Sequence, residues 1–284
     1  MMKYLFIIVF FSLINFAQSV YTPEDVEICQ SKFRLAVELD LQPKPINEIV
    51  IEIGKSFLGL DYEAHTLEKG DNENLVIHLT GLDCYTFLES ALVFARCIKQ
   101  NDTTFECYQK ELEHIRYRNG EMKDYPSRLH YFSEWIYEMD KRGIGKNITQ
   151  EIGGAPYKKK INFMSTHPNS YEKLQKNPQF VEVVRQIEKE ISSLNQYFIP
   201  QKRIRESESK IKSGDILGIT TNIEGLDISH TGIAIRLDDG RIYLLHAPTV
   251  GKQIEISEKP LAEYINSIKH QTGIMVLRPN NFEE

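Results

Sequence analysis

The chain has 284 residues, with 34 Lys and Arg against 40 Asp and Glu, and a formal net charge of −6 at neutral pH. An acidic balance with no long basic stripe argues against nucleic acid as a partner. The only tight basic run, Lys158, Lys159 and Lys160, reads as a solvated loop. Composition is otherwise that of an ordinary globular protein, without internal repeats or low-complexity tracts.

Lys3, the apolar run Tyr4 to Phe16, and then Ala17, Gln18 and Ser19 have the three parts of a secretory signal peptide with an A-x-S cleavage site. The run is short for a membrane span, and no comparable run follows. The sequence therefore predicts a leader over 1–19, a mature chain from about Val20, and export, with no stable membrane insertion after cleavage. Cys29 lacks the preceding small residues of a lipoprotein signal, so no acyl anchor is expected. The stretch 20–284 is long enough for one large domain or two lobes sharing a core.

Pro45 suits the first turn of a helix running to about Leu58, with Ile46, Val50, Ile53 and Phe57 inward and Gly59 ending it. The segment that follows carries Tyr62 and His65. Next comes Leu79 to Arg96, around which the rest is organised. Asp83 is a good N-cap, and Phe87, Leu88, Ala91, Leu92 and Ala95 recur at helical spacing, so a helix should begin at or beside Cys84. A thiol there meets unpaired backbone N–H groups and the positive end of the helix dipole, which favours the thiolate and lowers its pKa. The same N–H groups could hold an oxyanion. Set against this, cysteine is among the most buried residue types, and one opening an apolar helix is usually packing.

Four cysteines, Cys29, Cys84, Cys97 and Cys107, are too few and scattered for a disulfide framework. With Cys84 free at most one bridge can form, and Cys97 with Cys107 would close a short loop. Neither C-x-x-C nor H-E-x-x-H occurs, so spacing supports no zinc site. Further helices are expected at Thr103 to Arg116, Ser127 to Lys141 and Pro178 to Leu194, making the part up to about residue 200 mostly helical. The polar, aromatic loops Asn119 to His130 and Gly153 to Tyr171 have the length of binding surfaces.

After Ser213 and Gly214 the period becomes strand-like: Asp215 to Thr221, His230 to Leu237, Arg241 to Ala247, Gln253 to Ile256, a short helix Pro260 to Ile268, then Gly273 to Leu277. This predicts an antiparallel sheet. The turn Asp238, Asp239, Gly240 decides its register. A three-residue loop with Gly240 left-handed pairs Leu237 with Arg241 and hence Gly232 with His246. A two-residue loop would put His230 and His246 on opposite faces. In the first register the two histidines are diagonal neighbours, with Gly232 leaving the space between them open. Cysteine at a helix start, histidine at a strand start and a polar partner on the next strand are the parts of a nucleophilic triad. His230 would take the thiol proton and His246 would fix its tautomer. A packed or hydrogen-bonded role is the better reading for His65, His78, His114, His167 and His270.

Leu82-Asp83-Cys84, Ser229-His230-Thr231-Gly232-Ile233-Ala234 and Leu244-Leu245-His246-Ala247 resemble the three signatures of the NlpC/P60 superfamily of papain-like cell-wall cysteine hydrolases. Ser127 to Tyr131, Phe163 to Pro168, Thr221 to Asp227 and Thr272 to Met275 resemble its DUF1460 branch, whose members are N-acetylmuramoyl-L-alanine amidases. The resemblance implies an α+β fold, with a helical lobe over 20–200 carrying Cys84 packed on a β-sheet lobe over 201–284 carrying His230 and His246. It further implies Cys84 as nucleophile, His230 as base, His246 as third member, and no metal or organic cofactor. Gly59-Leu60-Asp61-Tyr62 corresponds to the superfamily's Gly-x-Pro-Tyr segment, so Tyr62 is the expected oxyanion support; Asp61 replaces proline, and His65 stands where glycine is usual.

The implied reaction cuts the bond between N-acetylmuramic acid, in its free or 1,6-anhydro form, and L-alanine in peptidoglycan fragments, in the periplasm. Candidate substrate contacts are Arg128, His130 and Tyr131, suited to a carboxylate and a sugar ring, together with Asn222. Asp83 joins them in the γ-D-glutamyl endopeptidase alternative, where an acidic residue before the cysteine binds a free peptide amine; in an amidase it is a cap. A non-catalytic muropeptide-binding protein is the alternative from another class.

Overall fold

The computed structural model describes residues 19–249 and 252–281. The expected leader, 1–19, thus lies outside the described residues except for Ser19. Ser19 and Val20 pair in parallel with Leu75 and Val76. No helix among the described residues is long and apolar enough to cross a membrane.

The fold is mixed α+β, and the Cys84–Lys99 helix is its centre. Thirteen of its residues, Thr86 to Ile98, are buried, because apolar side chains run round the whole helix and not along one stripe. The Ile46–Lys55 and Phe105–Arg116 helices pack on it, as does the Pro23–Glu38 helix. This last helix was not among the expected elements. Thr22 and Asp25 form a capping box at its start, with Pro23 in the first turn. Its buried set is only Asp25, Cys29, Phe33 and Ala36, a thin apolar signal.

One antiparallel sheet faces these helices. Its strand order is Ala155–Pro156, Tyr197–Pro200, Gln271–Pro279, Ile216–Thr221, Ile228–Arg236, Ile242–His246, Glu255–Ile256, with Gly145–Asn147 also paired to Gln271–Pro279. Three short strands from before residue 201 therefore join a sheet expected to lie wholly after it. They are two to four residues long, too short to show alternation. Ile233, Ile235 and Leu245 belong to the large core shared with the helices. Leu217, Ala234, Leu244 and Val276 form a second core with Leu261 and Ile265 of the Leu261–Asn266 helix.

The hairpin takes the three-residue form. The Leu237 amide donates to the Arg241 carbonyl at 3.1 Å, Gly240 has φ +76°, and Ile233 pairs with Leu245. Cys97 and Cys107 also meet, as buried thiols with sulfurs 2.6 Å apart.

Candidate active site

Asp83 caps the cysteine helix. Its Oδ1 accepts from the amides of Tyr85 at 3.0 Å and Thr86 at 2.8 Å, while Thr86 Oγ1 accepts from the Asp83 amide at 3.0 Å. Phe87 donates to the Asp83 carbonyl. The cap therefore engages three first-turn amides and leaves that of Cys84 out of its bonding. Cys84 is half-buried, whereas Cys29, Cys97 and Cys107 are buried.

Two chain segments converge on this helix start. Asp61 to Glu63 runs beside Leu82: the Leu82 amide donates to the Asp61 carbonyl at 3.2 Å, and the Glu63 amide to the Leu82 carbonyl at 3.3 Å. Tyr62, held between these residues, donates its own amide to the Lys252 carbonyl at 2.9 Å. From the other side comes the Ile228–Arg236 strand, whose Thr231 hydroxyl donates to the Cys84 carbonyl at 2.7 Å. His230 precedes Thr231, and its Nε2 lies 2.7 Å from His246 Nδ1, with the rings edge to face at 4.9 Å between centroids. A Cβ on Gly232 would come within 3.0 Å of His246 Cβ, so the glycine is what lets the two strands seat both rings.

The electrostatics differ from the sequence expectation. Burial, then the Asp83 carboxylate, push the Cys84 thiol up to about 12, against opposing hydrogen bonds from Thr231 and the Cys84 amide. Burial pushes His230 down to about 4, and burial together with His230 and Lys252 pushes His246 down to about 3. The expected lowered thiol pKa is corrected accordingly: burial and the Asp83 carboxylate raise it, and burial keeps both imidazoles neutral at neutral pH. The Tyr62 hydroxyl is raised to about 12, chiefly by burial, and so remains a donor at neutral pH.

The remaining candidates are less alike. Asp83, Arg128 and His130 line one cavity with His65, Glu68 and Tyr85, beside the cysteine helix. The Arg128 guanidinium is already bound, to Glu68 Oε1 at 2.7 Å and to both carboxylate oxygens of Glu73 at 2.7 and 2.9 Å. His130 Nε2 bonds the Tyr125 carbonyl at 2.8 Å. Tyr131 is buried; its hydroxyl donates to Glu188 Oε1 at 2.7 Å and accepts from the Met164 amide at 2.9 Å. Asn222 is exposed and bonds His270 through side chain and backbone. Among the described residues, no group of three His, Cys, Asp or Glu side chains is placed to hold a metal ion.

Three neighbours were not singled out from sequence. Thr231 is the strand's tie to Cys84. Tyr264 stands edge-on to His246 at 5.2 Å between ring centroids, with its hydroxyl raised to about 12 by burial and by Glu255 and Cys84. Glu255 pairs with His246 across the sheet edge, a position the strand pairing alone would have shown.

Helices packed on one antiparallel sheet, with a half-buried cysteine at a helix start and a bonded histidine pair on two adjacent strands, give an α+β architecture found in amidase-like proteins of known structure. An N-acetylmuramoyl-L-alanine amidase from Bacteroides uniformis superimposes with a TM-score of 0.79 at 33% identity, over 83% of this chain and 99% of that one. A Bacteroides fragilis protein whose name proposes a xylanase gives 0.75 at 36% identity, over 79% and 98%. A Legionella pneumophila protein of the DUF1460 family shares the fold at 0.68 and 22% identity, over 91% and 97%. None of the curated proteins compared matches the sequence. Residues 52–274 match the AmiA-like family, described as N-acetylmuramoyl-L-alanine amidase-like, and the chain belongs to that family.

Proposed function

We propose that the protein is an exported cysteine amidase of the papain-like NlpC/P60 type, which hydrolyses the bond between the lactyl group of N-acetylmuramic acid and L-alanine in peptidoglycan fragments. The observation that carries the reading is the His230 to His246 bond at 2.7 Å, on the strand whose next residue holds the start of the cysteine helix. A base oriented by a second histidine, beside a nucleophile at a helix start, is the arrangement acyl transfer requires.

Cys84 Sγ attacks the lactyl carbonyl as its proton passes to His230 Nδ1. Because both groups rest neutral, transfer and attack are coupled, without a standing thiolate. His246 Nδ1 accepts the hydrogen on His230 Nε2, which fixes the tautomer and leaves Nδ1 free as the base. The Cys84 amide and the Tyr62 hydroxyl are the donors available to the oxyanion. Collapse expels the peptide amine, which takes the proton from His230, and water activated by His230 then hydrolyses the muramyl thioester to the sugar acid. Arg128, bound to Glu68 and Glu73, shapes the cavity wall in place of binding a substrate carboxylate. Asp83 Oδ1 is spent on the helix cap, which favours the amidase over the γ-D-glutamyl endopeptidase reading.

Mass spectrometry of an anhydromuramyl tripeptide incubated with the protein and with Cys84→Ala tests this. Release of free tripeptide and sugar acid by the parent alone is expected. A sugar fragment retaining L-Ala-D-Glu moves the cut to the endopeptidase position, and bound but uncut substrate leaves a binding protein. Hydrolysis of xylan with muropeptide untouched would overturn the reading.

A further inference from the structure

His246 has a second ring nitrogen that the triad does not use. Nε2 is buried and has no hydrogen-bond partner, and Glu255 Oε1 lies 4.0 Å away. The two residues are directly paired across neighbouring strands, so their side chains leave the sheet on the same face. Glu255 is 42% exposed, free to change rotamer without moving backbone.

The tautomers leave little choice. For His230 to receive a proton on Nδ1 its Nε2 must carry hydrogen, and His246 must accept that hydrogen on Nδ1. A neutral His246 then carries its own hydrogen on Nε2, a buried donor with the Glu255 carboxylate 4.0 Å away. We propose that Glu255 is a positioning residue that closes on His246 Nε2, extending the line Cys84, His230, His246 to a fourth member and holding His246 in the tautomer that makes His230 a base. The proposal rests on the triad reading of this site, and is independent of which amide is cut.

The charged and titratable groups around His246 are few. His230 faces it from one neighbouring strand and Glu255 from the other. Tyr264 stands over it from the Leu261–Asn266 helix, and Lys252 acts from the chain before Glu255. Both His230 and Lys252 oppose positive charge on His246. Glu255 is the one carboxylate among them, and its closure offsets that opposition when the proton reaches His230.

The test reads the thiol directly. The rate of Cys84 alkylation by iodoacetamide would be followed against pH in the full protein, in Glu255→Gln and Glu255→Asp, with the exposed Glu258→Gln as control; Cys29, Cys97 and Cys107 are buried, and mass spectrometry locates the adduct. The expected result for Glu255→Gln is alkylation about tenfold slower at neutral pH, partial recovery in Glu255→Asp, and no change in Glu258→Gln. A Glu255→Gln profile that superimposes on the parent's overturns the proposal, as does an equal loss in Glu258→Gln. Should the parent's Cys84 react no faster than in His230→Ala, the triad reading falls, and this proposal with it. Substrate turnover is not needed at any stage, so a wrong assignment of the cut bond leaves the result intact.

Discussion

The hydroxyl of Thr231 donates to the carbonyl oxygen of Cys84 at 2.7 Å, tying the first turn of the buried helix to the strand that carries His230. The same side chain is one of the hydrogen-bonding groups that oppose the upward shift of the thiol. Thr231→Val keeps the shape and removes the hydroxyl. A neutral hydrogen bond contributes about 1 kcal/mol net, so a modest fall in denaturant midpoint is expected. Loss of amide cleavage should exceed that fall, about tenfold in kcat/KM, because the thiol loses a stabilising donor. Equal activity in the two proteins would place Thr231 outside the chemistry.

Gly232 separates the two histidines along the sheet. A Cβ there meets Leu244 Cδ1 at 2.7 Å, the Leu245 carbonyl at 2.9 Å and His246 Cβ at 3.0 Å. The Leu245 carbonyl is ladder backbone and cannot turn away. Gly232→Ala should therefore force the two strands apart, at about 1–3 kcal/mol of stability, and lengthen the contact between His230 and His246. Thermal unfolding together with muropeptide cleavage checks this, and an unchanged melting temperature would show that the strands give way more easily than the contacts require.

The histidine pair was legible because the Asp238-Asp239-Gly240 turn admits few registers, and only the three-residue one puts both rings on one face. The cysteine helix was legible from its cap and its apolar spacing. Arg128 was not. Its partners Glu68 and Glu73 lie far off in sequence, and a polar loop gives no periodic signal of where its side chains end up. The thiol's electrostatics differ from expectation for a related reason: a helix start is visible in sequence, while the burial of the thiol is set by tertiary packing. His65 shows the opposite case. It occupies the place where the resembling family has glycine, and its φ of +62° is the left-handed conformation that glycine adopts freely.

The buried His230 and His246 and the half-buried His130 bear on the acid stability. Burial pushes His130 down to about 3, His230 to about 4 and His246 to about 3. A histidine depressed in the folded state takes up its proton more readily when unfolded. The unfolded chain therefore binds more protons between the ordinary histidine value, about 6.5, and these lowered values. Stability should be fully present above pH ~6.5 and fall as pH drops through that window. Denaturant midpoints from pH 7 down to 4 would show the decline, and His130→Asn, which removes one titrating ring outside the Cys84, His230 and His246 set, should flatten it. A midpoint constant across that range would mean that the rings protonate in place.

The cysteine helix is also anchored by a buried ion pair. Arg116 donates from Nε and Nη2 to Glu89 Oε2 at 2.9 and 2.8 Å, and from Nη1 to the Val76 carbonyl at 2.6 Å. Glu89 lies midway along the helix and is fully buried. Breaking such a pair from one side leaves the other charge stranded, at about 3–5 kcal/mol. Arg116→Met should therefore destabilise strongly, and the Val76 carbonyl, next to the Ser19–Val20 pairing, should lose its tie as well. Pairing it with Glu89→Gln removes the stranded charge, so the double variant should recover part of the loss. The double-mutant cycle in denaturant measures this: a coupling near zero would mean that the pair contributes packing alone, and that the helix carrying Cys84 is held by its apolar faces.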